Sequence, residues 1–225
     1  MFNKKITIKY TDILEKEEAE NAFKKIPYNF PKYFSSIPKT IFKPELKKFI
    51  PYLRTIKTCP GFINLYKRSI LLTSPFDIYI EMKDDKIISS NVGQTDFKIA
   101  NIHPQEQFLT YVPNNKKYKF IIKINLPFYI DTNVSLFMNQ SHYHFSDFNV
   151  LSGILSPNYK GDINFFIPVE KEKNEIYIKK DDPLFLITPL CEKKINLKFK
   201  KYNNTHKPSL TFSSLKKYIL KNIII

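Results

Sequence analysis

The sequence predicts a mainly β fold, and three observations lead to that prediction. Residues 117–126 alternate apolar and polar side chains, which is the pattern of a strand with one buried face. Short apolar runs bounded by turn residues recur from residue 62 onward. Six prolines between residues 27 and 60 exclude long helices and central strands from that segment, because proline lacks a backbone donor.

Length and composition agree with one domain that carries an extension at each end. The chain has 225 residues, of which 43% are hydrophobic and 15% aromatic, as is typical of a folded globular protein. We predict a strand, a short helix and an arm over residues 1–60, a β domain over 61–208, and a C-terminal helix over 209–225.

The N-terminal segment contains the predicted strand, helix and arm in that order. Residues 2–10 alternate well enough for a first strand. Asp12 and Glu15 have the spacing of a capping box and predict a helix over residues 13–25. Aromatic residues stand between the prolines of residues 27–60, so we expect this arm to pack on the domain, with a helical turn at 44–50.

Strands dominate the prediction after residue 62. Asp84 and Asp85 predict a hairpin turn, because aspartate stabilises turns through its own side chain. Pro127 is predicted to end the strand that precedes it. The predicted strands are 70–73, 76–82, 86–90, 117–126, 128–130, 134–138, 154–155, 163–169, 175–179, 184–188 and 195–199.

Residues 153–189 combine turn residues and strand pattern more clearly than any other stretch. Gly161 closes the turn at 157–161, where we predict a positive φ or a close approach, because glycine has no Cβ. Asp181 and Asp182 predict a second turn. The whole stretch is therefore predicted to be a series of hairpins.

The segments GILSPNYKGDINFFI and IYIKKDDPLFLI resemble the second half of the dUTPase and dCTP-deaminase fold. The resemblance implies a β-clip or jelly-roll-like barrel. Ser156 stands where that family has its catalytic aspartate, and the family's Arg-Ser-Ser motif and glycine-rich arm have no counterpart, so activity is not implied. One hypothesis is a nucleotide-binding relic of this scaffold, with Ser156, Tyr159 and Lys160 as candidate ligand-binding residues.

A second resemblance covers roughly residues 26–190. The chain is similar to an uncharacterised family of tailed-phage proteins in the order of four segments: TIKTCPGF at 55–62, SPFDIYI at 74–80, INLPFYI at 124–130 and DPLFLITP at 182–189. The resemblance implies a viral protein of unknown function, located in the host cytoplasm or in the virion.

The formal net charge of +15 leaves nucleic acid open as a partner, since clustered cations attract phosphates. Only Arg54 and Arg68 are arginines, and the lysines are scattered through every segment. An AT-rich genome over-encodes lysine together with Asn, Ile, Phe and Tyr. We therefore favour a solvated lysine-rich surface over a nucleic-acid site.

A metal site is the alternative chemistry that the sequence suggests. His142 and His144 on a strand would place both imidazoles on one face, and Asp147 or His103 would complete the ligand set. The opposing interpretation is a pair of hydrogen-bonded histidines. We expect no cofactor, with a divalent metal as the alternative.

The leading functional hypothesis is a non-enzymatic binding protein that has a protein partner or associates with itself. The alternative is a metal-dependent enzyme that uses His142 and His144. The start of the sequence has no apolar signal-peptide core, and no apolar run approaches the roughly 18 residues that span a bilayer. We therefore expect a protein that is neither secreted nor in a membrane.

Overall fold

The computed structural model describes residues 5–25, 27–43, 52–83, 86–91, 99–103, 118–144, 146–191 and 196–202. Within them the fold is mainly β, as predicted. The helices are α1 (Lys16–Asn21) and α2 (Pro60–Arg68), with short 3-10 turns at Lys32–Ser35, Ile56–Thr58 and His142–His144. The strands are β1 (Lys5–Tyr10), β2 (Phe23–Lys24), β3 (Thr40–Phe42), β4 (Tyr52–Arg54), β5 (Ile70–Thr73), β6 (Ile78–Lys83), β7 (Lys86–Asn91), β8 (Ala100–His103), β9 (Tyr118–Thr132), β10 (Leu136–Gln140), β11 (Gly153–Leu155), β12 (Lys160–Glu170), β13 (Glu175–Ile178), β14 (Pro183–Pro189) and β15 (Asn196–Lys201).

Strand β9 organises the first sheet, which we call sheet A. One edge of β9 pairs with β12, while the other edge pairs first with β8 and then with β1. Strand β15 pairs with β1 in parallel and completes the order β12-β9-β1-β15. The first and last described strands of the chain are therefore neighbours in space.

The predicted break at Pro127 is wrong, because β9 continues through it to Thr132. Pro127 lies where no ladder needs its missing N–H. Pairing with β8 reaches only Ile124, and pairing with β1 begins at Phe128. The ladder to β12 is also interrupted between Asn125 and Tyr129. Proline is tolerated in a strand where no hydrogen bond is lost.

Sheet B has the strand order β11-β10-β14-β5-β2 and packs against sheet A. Ring pairs join the two sheets: the centroids of Phe165 and Phe185 are 5.7 Å apart, and those of Phe23 and Phe128 are 5.0 Å apart. A third sheet, β13-β6-β7, adds Ile78 to the same core. Along β1, β9 and β12, buried side chains largely alternate with more exposed ones, so sheet A has a core face and an outer face.

Helix α2, which the sequence analysis missed, covers the outer face of sheet B. Phe62 and Tyr66, one turn apart, pack on Leu71 and Leu186. Because β5 and β14 are covered on both sides, nearly every residue in them is buried. The signals for α2 were Pro60 in the first turn and two basic residues in the last turn.

Helix α1 is shorter than the predicted 13–25. It begins after Glu15, whose backbone N–H donates to the Glu18 carboxylate at 3.2 Å, so the capping pair is Glu15 and Glu18 and not Asp12 and Glu15. It ends before Phe23, which pairs with Leu72 of β5 and packs in the core. Burial of Phe23 at a sheet edge overrides the helical pattern.

Strands β11 to β14 confirm the strands and turns predicted for residues 153–189, but the predicted series of hairpins is wrong. None of these four strands pairs with another of them: β11 and β14 pair with β10, β12 pairs with β9 and β13 pairs with β6, so successive strands enter different sheets. Asp182 stabilises its turn by accepting the N–H of Lys179 at 2.8 Å, and Asp181 has a positive φ of 69°. Three other predictions lie outside the described residues: the helical turn at 44–50, the turn at Asp84 and Asp85, and the helix at 209–225.

Candidate functional site

The three candidate ligand-binding residues lie together at the turn between β11 and β12. Ser156 is exposed, and its carbonyl accepts the N–H of Tyr159 at 3.2 Å. Asn158 has a positive φ of 65°, which asparagine tolerates better than most residues. Lys160 is exposed at the start of β12. No acidic side chain occupies the position of Ser156, so this turn carries no general base there.

Tyr159 is held in place by its own turn. Its hydroxyl donates to the carbonyl of Asp162 at 3.2 Å. A Cβ on Gly161 would lie 2.6 Å from that hydroxyl, which confirms the predicted close approach, whereas the positive φ belongs to Asn158. Burial, followed by the nearby Asp162 carboxylate, raises the pKa of Tyr159, so its hydroxyl is protonated at neutral pH.

The turn borders the outer face of sheet A, because Lys160 pairs with Asp131 and Asp162 pairs with Tyr129 of β9. On that face Tyr129 and Tyr202 stack with centroids 5.6 Å apart and planes 10° apart. The ammonium of Lys9 lies 5.0 Å and 5.8 Å from the two ring centroids. With the lysines of β1 and β15 these residues form what we call the tyrosine–lysine face: Lys5, Lys9, Tyr129, Lys198, Lys200 and Tyr202.

Sequence reasoning missed this face because its residues come from distant parts of the chain. The alternation in KITIKY and in NLKFKK does place lysines on one face of each strand. Nothing in either segment indicates that β1 and β15 are parallel neighbours. The scattered lysines of the sequence are therefore partly gathered by the fold.

The metal-site residues are arranged differently from the prediction. His142–His144 is a 3-10 turn and not a strand, so the expected one-face geometry does not apply. The side chain of His142 lies outside the described part of the structure. Asp147 is exposed, and His103 packs on Phe166 of sheet A. Among the described side chains, no three His, Cys, Asp or Glu groups converge as a metal ion requires.

His144 instead joins the arm to sheet B. Its Nε2 donates to the carbonyl of Asn29 at 3.1 Å, and its ring lies 5.9 Å from Tyr66. Asn29 is fully buried and donates to the carbonyls of Tyr66 and Ser69 at 2.6 Å and 2.8 Å. Phe30 and Phe34 extend this cluster over α2. The first part of the arm is thus tied to both α2 and the turn at 142–144.

We expect acid to destabilise the protein through His144. Burial lowers the pKa of His144, although the Asn29 carbonyl opposes this shift. The unfolded chain therefore takes up the proton first as pH falls, so the stabilisation is complete above the unfolded pKa of about 6.5 and is lost below it. Urea unfolding between pH 7 and pH 5 should show a steeper loss for wild type than for His144→Gln. An equal pH dependence of the free energy of unfolding in the two proteins would contradict the assignment of this effect to His144.

No protein-family model, no curated protein and no solved structure matches this chain. The resemblances to the dUTPase fold and to the tailed-phage family therefore stay predictions. Among the described helices, none has the length and apolar character needed to cross a membrane.

Proposed function

We propose that the chain acts by binding a protein and not by catalysis, as a phage-type protein of the virion or the host cytoplasm. The observation that supports this proposal is the hairpin of β3 and β4. Ile41 pairs with Leu53, and Phe42 pairs with Tyr52. All four side chains are exposed, by 37% to 58%. Ile41 and Leu53 share one face of the hairpin, while Phe42 and Tyr52 share the other, and exposed apolar side chains close together are typical of protein interfaces.

Among the described residues, the hydrogen bonds that anchor the hairpin lie at its base. Thr55 donates its hydroxyl to the carbonyl of Pro38 at 2.6 Å and its backbone N–H to the carbonyl of Lys39 at 3.1 Å. A two-stranded hairpin with no buried face is marginally stable in water. Docking on a partner would bury one face of it and supply the missing packing. The partner is a second copy of the chain or another protein.

The proposal includes a β-clip or jelly-roll-like barrel with a dUTPase-like order of strands and turns in residues 153–189. Its support is the face-to-face packing of sheets A and B and the order of strands β11 to β14. Ser156 at the place of the family's catalytic aspartate supports a non-catalytic role. The described contacts do not favour a metal enzyme, because His144 donates its Nε2–H to Asn29 and Asp147 is exposed.

The test compares Ile41→Ser/Leu53→Ser with a control pair, Ile154→Ser/Leu190→Ser, whose side chains are also exposed. We expect sedimentation velocity to show association of wild type that the hairpin pair abolishes and the control pair keeps. If wild type is monomeric, the same variants are compared for incorporation into purified phage particles. The variant Ile41→Ser/Leu53→Ser should then be absent from the particles, while the control variant is incorporated.

Two results would contradict the proposal. One is that Ile41→Ser/Leu53→Ser associates and is incorporated into particles to the same extent as wild type, with unchanged thermal unfolding. The other is release of pyrophosphate from dUTP or of ammonia from dCTP by the purified chain, which would contradict the non-catalytic role.

A further inference from the structure

The tyrosine–lysine face brings cations close together, although the carboxylate of Asp131 lies on the same face of β9, opposite Thr7 of β1. Lys9 and Lys200 are direct partners on neighbouring strands, which lie about 4.8 Å apart. Like charges directly opposite each other destabilise a sheet. No described residue forms an ion pair with Lys5, Lys9, Lys198 or Lys200. An anionic ligand on this face would relieve that repulsion.

Protection of a sheet edge explains only half of these lysines. Lysines on an edge strand prevent pairing with other chains, and β15 is the edge strand of sheet A in the described structure. Strand β1 lies between β9 and β15, so Lys5 and Lys9 protect no edge. Edge protection therefore does not account for Lys5 and Lys9, although a solvent face is an ordinary place for lysine.

The two tyrosines give the face a second kind of binding group. Tyr129 and Tyr202 are half-buried, nearly parallel rings directly beside the ammonium of Lys9. Aromatic rings interleaved with cations are the usual surface for unpaired bases and their phosphates. Bases inside a duplex are stacked on each other and do not reach such rings.

We infer that the tyrosine–lysine face binds single-stranded nucleic acid. The lysines of β1 and β15 hold phosphates, and Tyr202 with Tyr129 provides a stacking surface for a base. Asp131 on β9 lies opposite Thr7 of β1, and Asp162 on β12 lies opposite Tyr129, so these two carboxylates repel phosphates from β9 and β12. The bound nucleic acid therefore follows β1 and β15. This role is separate from the hairpin of β3 and β4 and goes beyond the proposed function.

The test is fluorescence anisotropy of the full chain with a labelled oligothymidine of about 15 nucleotides, repeated with RNA and with duplex DNA. Affinity should fall with salt, by a log–log slope of about 0.7 for each phosphate contact. Lys9→Gln/Lys200→Gln should reduce the slope by about 1.4. Tyr202→Leu should weaken binding by about 10-fold with the slope unchanged, whereas Tyr202→Phe should retain binding.

The control is the double variant Lys67→Gln/Lys86→Gln. Both lysines are exposed, one on α2 and one on β7, and their substitution lowers the net charge by the same amount. It should keep both the affinity and the slope. The inference is overturned if wild type does not bind single strands, if the control pair loses as much as Lys9→Gln/Lys200→Gln, or if duplex binds as tightly and Tyr202→Leu has no effect. Binding to phosphatidylserine vesicles without binding to oligonucleotides would also overturn it. If Tyr202→Leu fails to fold, the slope of the lysine pair decides.

Discussion

Phe165→Ala is expected to lower the free energy of unfolding by roughly 3–5 kcal/mol, the range for a large aromatic side chain removed from a packed core. Phe165 is 2% exposed and lies on β12 against Phe185 of sheet B. Its neighbours cannot close the cavity easily, because β12 is held to β9 along most of its length. Urea unfolding at constant m-value measures the loss.

The control for Phe165→Ala is Phe42→Ala, the same substitution at a half-exposed hairpin position. Its free energy of unfolding should stay within about 0.5 kcal/mol of wild type, as for most surface substitutions. An equal loss of the free energy of unfolding in the two variants would mean that sheets A and B do not share a packed core.

Asn29→Ala is expected to cost roughly 1–3 kcal/mol, the cost of two lost buried hydrogen bonds when one of the acceptors, the Tyr66 carbonyl, keeps the N–H of Ser69 at 3.3 Å. Asn29 is 0% exposed and donates to the carbonyls of Tyr66 and Ser69 at the end of α2. The variant should also loosen the arm from α2, because the Asn29 side chain makes that connection, whereas the backbone carbonyl that accepts from His144 remains. Urea unfolding and limited proteolysis measure the two effects.

Asn64→Ala provides the matched control on the exposed side of α2. Alanine is the better helix former, so this variant should be as stable as wild type or slightly more stable. A loss of stability in Asn64→Ala similar to that in Asn29→Ala would show that the Asn29 hydrogen bonds are not the cause.

Alternation of side chains was sufficient to locate most strands. Strands β12 and β14 were predicted to within a few residues, because their apolar positions face a core and glycine, proline and aspartate mark their ends. The misses have physical causes. Helix α2 is short and begins at a proline, and its two core residues resemble an ordinary apolar run. The 3-10 turn at His142–His144 is closed by the N–H of His144 on the carbonyl of Ser141 at 2.8 Å, and its contact with Asn29 joins residues that are distant in the sequence.

The candidate site was predicted only in part. Ser156, Tyr159 and Lys160 were correctly located at one turn, because local turn chemistry determines that geometry. The adjoining lysines were judged to be scattered, because charge clustering depends on which strands are neighbours and not on sequence spacing.

The sequence by itself therefore determined the β class, the strands and turns of residues 153–189 and the face on which each strand carries most of its lysines. These properties follow from local periodicity and turn residues. Only the tertiary structure decided that β1 and β15 lie side by side, that Tyr129 stacks on Tyr202, and that the arm meets His144. Such contacts join residues far apart in the chain, and burial of a shared core selects them.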